Sequence, residues 1–463
     1  MTTWLPALNT ERPRYIAIAD AIAADLAAGK LSTGDRLPPQ RELAWRLGVT
    51  VGTVTRAYQE AERRGLLVGE VGRGSYLRDP AGSRAALPGL ARGEPGVLEM
   101  HIASPPLVQQ ASDLDQAFAT LSSDPNRTAL LDYEPASGLP AHRQMGIKWL
   151  RRSGIDVRVD DIVLTAGAHA ALIAVLSCIL HAGEHIFAEP LTYPTILPIA
   201  RLLNLHLHPL QMDGDGLIPE SLDQACRTSP AKVLYVVPTL HNPTTCTLTL
   251  ERRAAIAEIA RRHDLTIIED DIFRLLAPDP QPATIHSLAP ERTYHITSLS
   301  KTLGPGLRVG FVATPPGKAE HAAVQQLIGG SRVSAITAEI ARAWIESAAA
   351  DRILGAIKAE LAQRRLVALN VLGRRQVRIE PGAMFCWLSL PEPWRAGEFA
   401  SAAQAIGIKV TPSTTFATGR RVDDQAVRIC LGPPRTRDIL KDGLTRLDAL
   451  IDRGPTESFR AIA

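Results

Sequence analysis

Apolar residues recur along this chain with two periods, and the places where the period changes divide it. Over the first 78 residues the period is helical: Tyr15, Ile18, Ala19, Ile22 and Leu26 fall on one face, and Gly29 follows where a glycine would end the helix. Pro38-Pro39 breaks the chain before a short helix over 41–47, with Leu43, Ala44 and Leu47 inward, and Gly48-Val49 makes a tight turn. Thr50 is placed to cap a third helix, in which Val54, Ala57, Tyr58 and Ala61 keep the 0, 3, 4, 7 spacing before Gly65. Residues 66–68 and 75–77 read as two short strands around a glycine-rich turn. Three helices and a hairpin predict a winged helix-turn-helix over residues 1–78, although periodicity alone suits a small helical interaction domain equally well.

Residues 79–98 carry Pro80, Gly82, Pro88, Gly89, Gly93, Pro95 and Gly96 with little periodicity, and read as an exposed linker. Beyond it, short apolar runs alternate with helical stretches. A run at 162–164 precedes a helix over 168–180, a run at 185–188 follows, and a run at 232–237 precedes a helix over 250–263. The run 265–268 leads into Glu269-Asp270-Asp271, and further runs cover 293–296 and 309–313. This βαβ series predicts an α/β fold with a mostly parallel sheet. From about residue 315 the pattern turns to helices and then a mixed tail with strands near 384–390 and 427–431, which predicts a smaller second lobe within a domain spanning 99–463.

Composition narrows the class. A chain of 463 residues exceeds one compact core, and 45% apolar with 21% charged residues is the balance of a globular protein. The longest apolar run, 170–180, falls short of the roughly 20 residues a membrane span needs. No apolar leader follows Met1, so a cytoplasmic protein without a membrane partner is expected. The five cysteines are scattered and never form a C-x-x-C pair, so neither a disulfide framework nor a zinc site is supported, and no metal is expected. The net charge of +3 matters only in its distribution: residues 1–78 hold 11 Lys+Arg against 8 Asp+Glu, and the remainder is balanced at 40 each. The surplus lies wholly in the first domain, a weak pointer to nucleic acid that a solvated face would also explain.

Candidate chemistry centres on the stretch from Ser298 to Arg308, between two apolar runs. Lys301 can form a Schiff base once burial or a neighbouring cation lowers its pKa. The hydroxyls of Ser298 and Ser300 and the guanidinium of Arg308 can bind a phosphate dianion, with Gly304 and Gly306 letting the backbone turn closely around it. An aldehyde and a phosphate on one molecule describe pyridoxal 5'-phosphate. Other strand ends supply what that cofactor needs. Gly167-Ala168-His169 opens a helix whose free N–H groups can receive the phosphate, Tyr193 can stack on the pyridine ring, and Asn242 can donate to its phenolic oxygen. Asp270 can pair with the pyridinium nitrogen and make the ring an electron sink, and Arg428 can hold an effector carboxylate bidentately. Singly, each has an ordinary reading: a surface lysine, a helix cap at Asp270, a turn residue at Asn242, a strand-edge charge at Arg428. Their order and shared placement at strand ends favour a site.

Two resemblances sharpen this. Leu37-Pro38-Pro39-Gln40-Arg41-Glu42-Leu43-Ala44, Leu47-Gly48-Val49, Gly52-Thr53-Val54, Ala57-Tyr58 and Gly65-Leu66 closely resemble the GntR family of bacterial DNA-binding domains. The resemblance implies that Arg41, the start of the third helix (Thr50, Thr53, Thr55, Arg56) and the wing (Gly72, Arg73, Gly74) meet a double-stranded DNA operator. Val51, followed by Gly52, stands where many members carry arginine. Bidentate guanine contact is thereby lost from that position, while contact with a thymine methyl remains open. Tyr133-Glu134-Pro135 with Gly138, residues 165–168, Glu189-Pro190-Leu191-Thr192-Tyr193, His241-Asn242-Pro243-Thr244, Glu269-Asp270-Asp271 and residues 298–310 are similar to fold-type I aminotransferases of class I/II. Together the two parts resemble the MocR family of bacterial regulators. That implies a homodimer binding pyridoxal phosphate on Lys301, with Tyr133 reaching the neighbouring subunit's cofactor, and DNA binding altered by a small amino-compound effector or by the cofactor itself. Phe273 stands where fold-type I enzymes commonly carry a tyrosine that holds the phenolic oxygen. Its lack of a hydroxyl favours a sensor over the alternative, a working aminotransferase with a vestigial or assembly-only head.

Overall fold

The structure, a computed structural model, describes residues 4–6, 13–28, 30–31, 35–64, 66–70, 74–77, 96–419 and 424–460. It divides into two compact units, Met1–Arg92 and Gly93–Ala463.

The first unit contains α1 (Arg14–Ala27), α2 (Gln40–Leu47), α3 (Val51–Arg63) and an antiparallel pair, β1 (Leu67–Glu70) with β2 (Gly74–Leu77). Ile18, Ala19 and Ile22 of α1 meet Leu43 and Ala44 of α2 and Val54, Ala57, Tyr58 and Ala61 of α3 in one core. The helical spacing of these residues therefore becomes three contacting stripes. Tyr58 donates its hydroxyl to Pro38 O at 2.8 Å, which ties α3 to the break before α2. Gly48 ends α2 with φ +61°, a conformation a side chain would strain. Thr50 caps α3, its Oγ accepting from Thr53 N at 3.2 Å. The predicted helix ends at Gly29 and Gly65 lie outside the described residues, as do Gly72 and Arg73 of the predicted wing.

The second unit is built on a seven-stranded sheet. In spatial order its strands are Ile162–Thr165, Gly310–Ala313, Thr293–Ser298, Thr266–Asp270, Val233–Val236, His185–Ala188 and His206–Pro209. Gly310–Ala313 runs antiparallel to both neighbours and the remaining pairings are parallel. Helices cover both faces and bury the central strands completely, which is why those strands appear in the sequence as short continuous apolar runs. A second sheet orders Val377–Arg378, Phe385–Ser389, Ala426–Cys430 and Thr411–Pro412, all antiparallel. Its core is not made from the C-terminal stretch alone. Met100 is buried in it, and Leu98–Glu99 pairs in parallel with Ile408–Lys409. The chain thus enters this smaller layer first, crosses to the large sheet, and returns.

Candidate functional site

Parallel strands send their C-terminal ends to one edge of the sheet, where polar groups can gather without interrupting the ladder. Asp270 ends Thr266–Asp270, Ser298 ends Thr293–Ser298, and Lys301 follows in the turn before the antiparallel strand. Gly167, Tyr193 and Asn242 follow the ends of three other strands. Sequence order and sheet topology therefore bring these residues to the same edge.

Lys301 is partly buried, and desolvation lowers its pKa to about 8, with the charges of Arg428 and Arg308 pushing the same way. Its ammonium donates to Ala103 O. Asp270 is buried, with Oδ2 accepting from the Tyr235 hydroxyl at 2.7 Å and Oδ1 without a partner among the described residues. Burial raises its pKa to about 6, against the Tyr235 bond that lowers it. Arg428 is also buried: Nη1 donates to Asn242 Oδ1 at 2.7 Å, Nη2 donates to His101 O at 2.6 Å, and the guanidinium lies over the Phe416 ring at 4.8 Å. Asn242 is thus oriented by Arg428, which leaves its NH2 group as the donor.

The phosphate-type groups form a second cluster. Gly167, with φ +86°, opens the helix Ala168–Ile179, and a Cβ there would lie 3.1 Å from Arg308 Nη2. Arg308 donates to Ala166 O at 3.0 Å, which leaves most of its five donors for another acceptor. Ser298 has a more internal role than its sequence position suggested. Its hydroxyl accepts from Ser300 N at 3.2 Å and lies 3.0 Å from Ser300 Oγ, so it shapes the turn. His169 bonds the Tyr193 hydroxyl and stacks on its ring with centroids 5.6 Å apart. Burial, then the charges of Arg308 and Lys301, lowers the His169 pKa to about 4, so it is neutral at physiological pH. Tyr133 stands apart from this cluster: it is 93% exposed, with the Arg332 guanidinium over its ring at 5.8 Å. Phe273 packs edge-on against Phe385 within the apolar core.

Sequence reasoning missed Tyr235, Phe416 and the carbonyls of His101 and Ala103. Tyr235 sits in an apolar run and reads as core; main-chain oxygens carry no residue signature. Among the described residues one group has metal-ligand proximity, Glu269, Asp271 and His295, all buried. Arg253 lies 3.8 Å from Glu269 and 4.0 Å from Asp271, already supplying positive charge there.

In the first unit, Arg14, Arg41 and Arg56 are exposed and form no ion pair with any described residue. Arg14, Tyr15, Thr50, Gly52, Thr53 and Arg56 line an open hollow of about 410 Å³. Val51 is 43% exposed at the start of α3, and a Cβ on Gly52 would meet only Thr50 Oγ1, at 3.8 Å. The Thr55 hydroxyl is 2.7 Å from Gln40 Oε1, so it ties α3 to α2.

Comparison with known proteins matches both units. Residues 14–77 match the bacterial regulatory proteins of the gntR family, and residues 89–447 match the class I and II aminotransferases. The chain is 32% identical over 459 residues to an uncharacterized HTH-type transcriptional regulator, YdeF, of Bacillus subtilis, covering 97% of each chain. It is 29% identical to the vitamin B6 salvage pathway transcriptional repressor PtsJ of Salmonella typhimurium, over 86% of this chain and 94% of that one. A similar likeness, 28% over 91% and 93%, links it to the pyridoxine biosynthesis transcriptional regulator PdxR of Corynebacterium glutamicum. Among solved structures, a kynurenine aminotransferase of Pyrococcus horikoshii superposes with a TM-score of 0.72 at 21% identity, over 81% of this chain and 95% of that one. That last likeness establishes the fold.

Proposed function

We propose, from the premise that this chain belongs to the class I and II aminotransferases and bears a gntR-family head, that it is a pyridoxal-phosphate-dependent transcriptional regulator. Its second unit would sense the cofactor or a small amino compound, and its first would bind operator DNA. The observation that carries the reading is the gathering of part-buried Lys301 and buried Asp270 at one edge of the large sheet with buried Arg428 from the second sheet, in a chain whose first unit presents arginines with no ion pair among the described residues.

The residues fit the cofactor. Asp270 Oδ1, with no partner among the described residues, is a buried acceptor suited to a protonated ring nitrogen, and Gly167, whose missing Cβ lets the Arg308 guanidinium lie close to the helix N-terminus, suits a phosphate there. When bound, pyridoxal phosphate supplies an aldehyde that captures amines and a ring that withdraws electrons. Lys301 would hold it covalently, Ser300, Arg308 and the helix N-terminus at Ala168 would bind its phosphate, and Tyr193 would cover the ring. Asn242 would donate to the phenolic oxygen. Arg428, held by Asn242 and His101, would take an effector's carboxylate. Phe273 can donate nothing, which favours holding a ligand over turning it over. In the first unit, Arg41, Arg56, Thr50 and Thr53 would meet phosphates, and Val51 would present an apolar edge in the major groove.

Borohydride reduction of the purified protein followed by peptide mapping should leave a pyridoxyl group on Lys301; a label elsewhere, or none after reconstitution, would refute the cofactor site. Operator affinity should then respond to an amino acid in the wild type and not in Arg428→Ala. Steady transamination with no effect on DNA binding would favour the enzyme reading.

A further inference from the structure

We infer that Tyr235 is a positioning residue for the cofactor: it holds Asp270 by one carboxylate oxygen and so turns the other toward the ring nitrogen. The inference rests on the cofactor reading above and adds a residue to it.

The geometry follows from strand register. Tyr235 pairs with Ile268 across the parallel strands Val233–Val236 and Thr266–Asp270. Ile268 and Asp270 are two residues apart and share a face of the sheet, and Tyr235, opposite Ile268, shares it too. A tyrosine ring and hydroxyl span about the rise of two strand residues, roughly 6.6 Å. From its place beside Ile268, the phenol therefore reaches the strand's last residue, and its oxygen lies 2.7 Å from Asp270 Oδ2. Both side chains are buried, so a hydrogen bond here is needed by each.

A buried phenol satisfying itself on any acceptor would give the same distance. The free oxygen argues for more. Asp270 Oδ1 is buried at the strand end, unpartnered among the described residues, in the company of Lys301. A carboxylate with one oxygen tied and the other bare is fixed in rotation and keeps its remaining lone pairs for a donor. The phenol also favours the anion, since a donated hydrogen bond stabilises the charged form. Tyr235 itself stays protonated, because burial and the Asp270 charge raise its pKa well above the ordinary value. This chain thus lacks a hydroxyl at Phe273 and has one behind Asp270.

The test uses full-length protein reconstituted with pyridoxal phosphate labelled with ¹⁵N in the ring. The ¹⁵N shift of the wild type should report a protonated nitrogen at neutral pH, and that of Asp270→Asn an unprotonated one. Tyr235→Phe removes the donor, so Asp270 should hold its own proton to higher pH, the share of protonated nitrogen at neutral pH should fall, and the acid limb of cofactor affinity should move up. Affinity at neutral pH should fall by about ten- to a hundredfold, the worth of a hydrogen bond to a charged group. Circular dichroism checks the fold of the variant. Site-specific 3-fluorotyrosine at position 235, a stronger donor of nearly the same shape, should move the acid limb down and covers the case in which Tyr235→Phe does not fold. An unmoved ¹⁵N shift and acid limb in either variant would overturn the inference. Absence of cofactor from wild-type Lys301 would instead sink the cofactor reading beneath it.

Discussion

At the scale of single residues, the candidate site changes what water would make of each group. An exposed lysine keeps its proton until about pH 10.5, and desolvation brings Lys301 to about 8. Only the neutral amine attacks an aldehyde, so capture of pyridoxal phosphate by the apoprotein should accelerate through about pH 8 and then level off. Stopped-flow absorbance against pH checks this; a rate still climbing at pH 10.5 would show an unperturbed lysine. Between those two values the unfolded chain binds more protons here than the folded one, so this group's contribution to stability rises with pH across that window. Lys301 and Asp270 stood out in sequence because type and place at a strand end agree, whereas Arg428 lies in the middle of Ala426–Cys430 in the second sheet, so the expected strand-end placement does not hold for it. Tyr235 did not stand out, since a tyrosine inside Val233–Val236 looks like packing until the neighbouring strand is in register with it.

At the scale of elements, the helices predicted over 41–47, 168–180 and 250–263 had their ends readable to within a residue, because capping depends on local chemistry. Thr50 shows it: its side chain accepts a hydrogen bond from the first turn of α3. Thr50→Ala should cost the first unit about 1 kcal/mol. A two-transition melt should show the first unit's step lowered and the second unit's unchanged. The return of the chain into the second sheet was not readable in the same way. Leu98 and Met100 make no periodic pattern of their own, and what recruits them is a parallel partner, Ile408–Lys409, more than three hundred residues later. Non-local pairing of so short a strand leaves almost no trace in a local window of sequence.

At the scale of the whole molecule, the excess positive charge sits in the first unit, where Arg14, Arg41 and Arg56 have no acidic partner among the described residues. If two copies bind together, their half-sites should lie about 34 to 36 Å apart per helical turn. Inserting half a turn between them should abolish tight binding in a gel-shift titration, and unchanged affinity would indicate a single-copy reader. A second prediction concerns the stretch after the proline- and glycine-rich linker. Its carbonyls at His101 and Ala103 accept from Arg428 and Lys301, and a Cβ on Gly432 would lie 1.8 Å from Ser104 O. Gly432→Ala should therefore dislodge this stretch, lower the melting temperature of the second unit and weaken cofactor retention, as absorbance after gel filtration would show. The same close fit bears on recombination. A head exchanged between two such proteins would leave the recipient's sensor whole only if the crossover fell upstream of Leu98. A crossover after Ser104 would build the chimera's proposed ligand site with a borrowed wall.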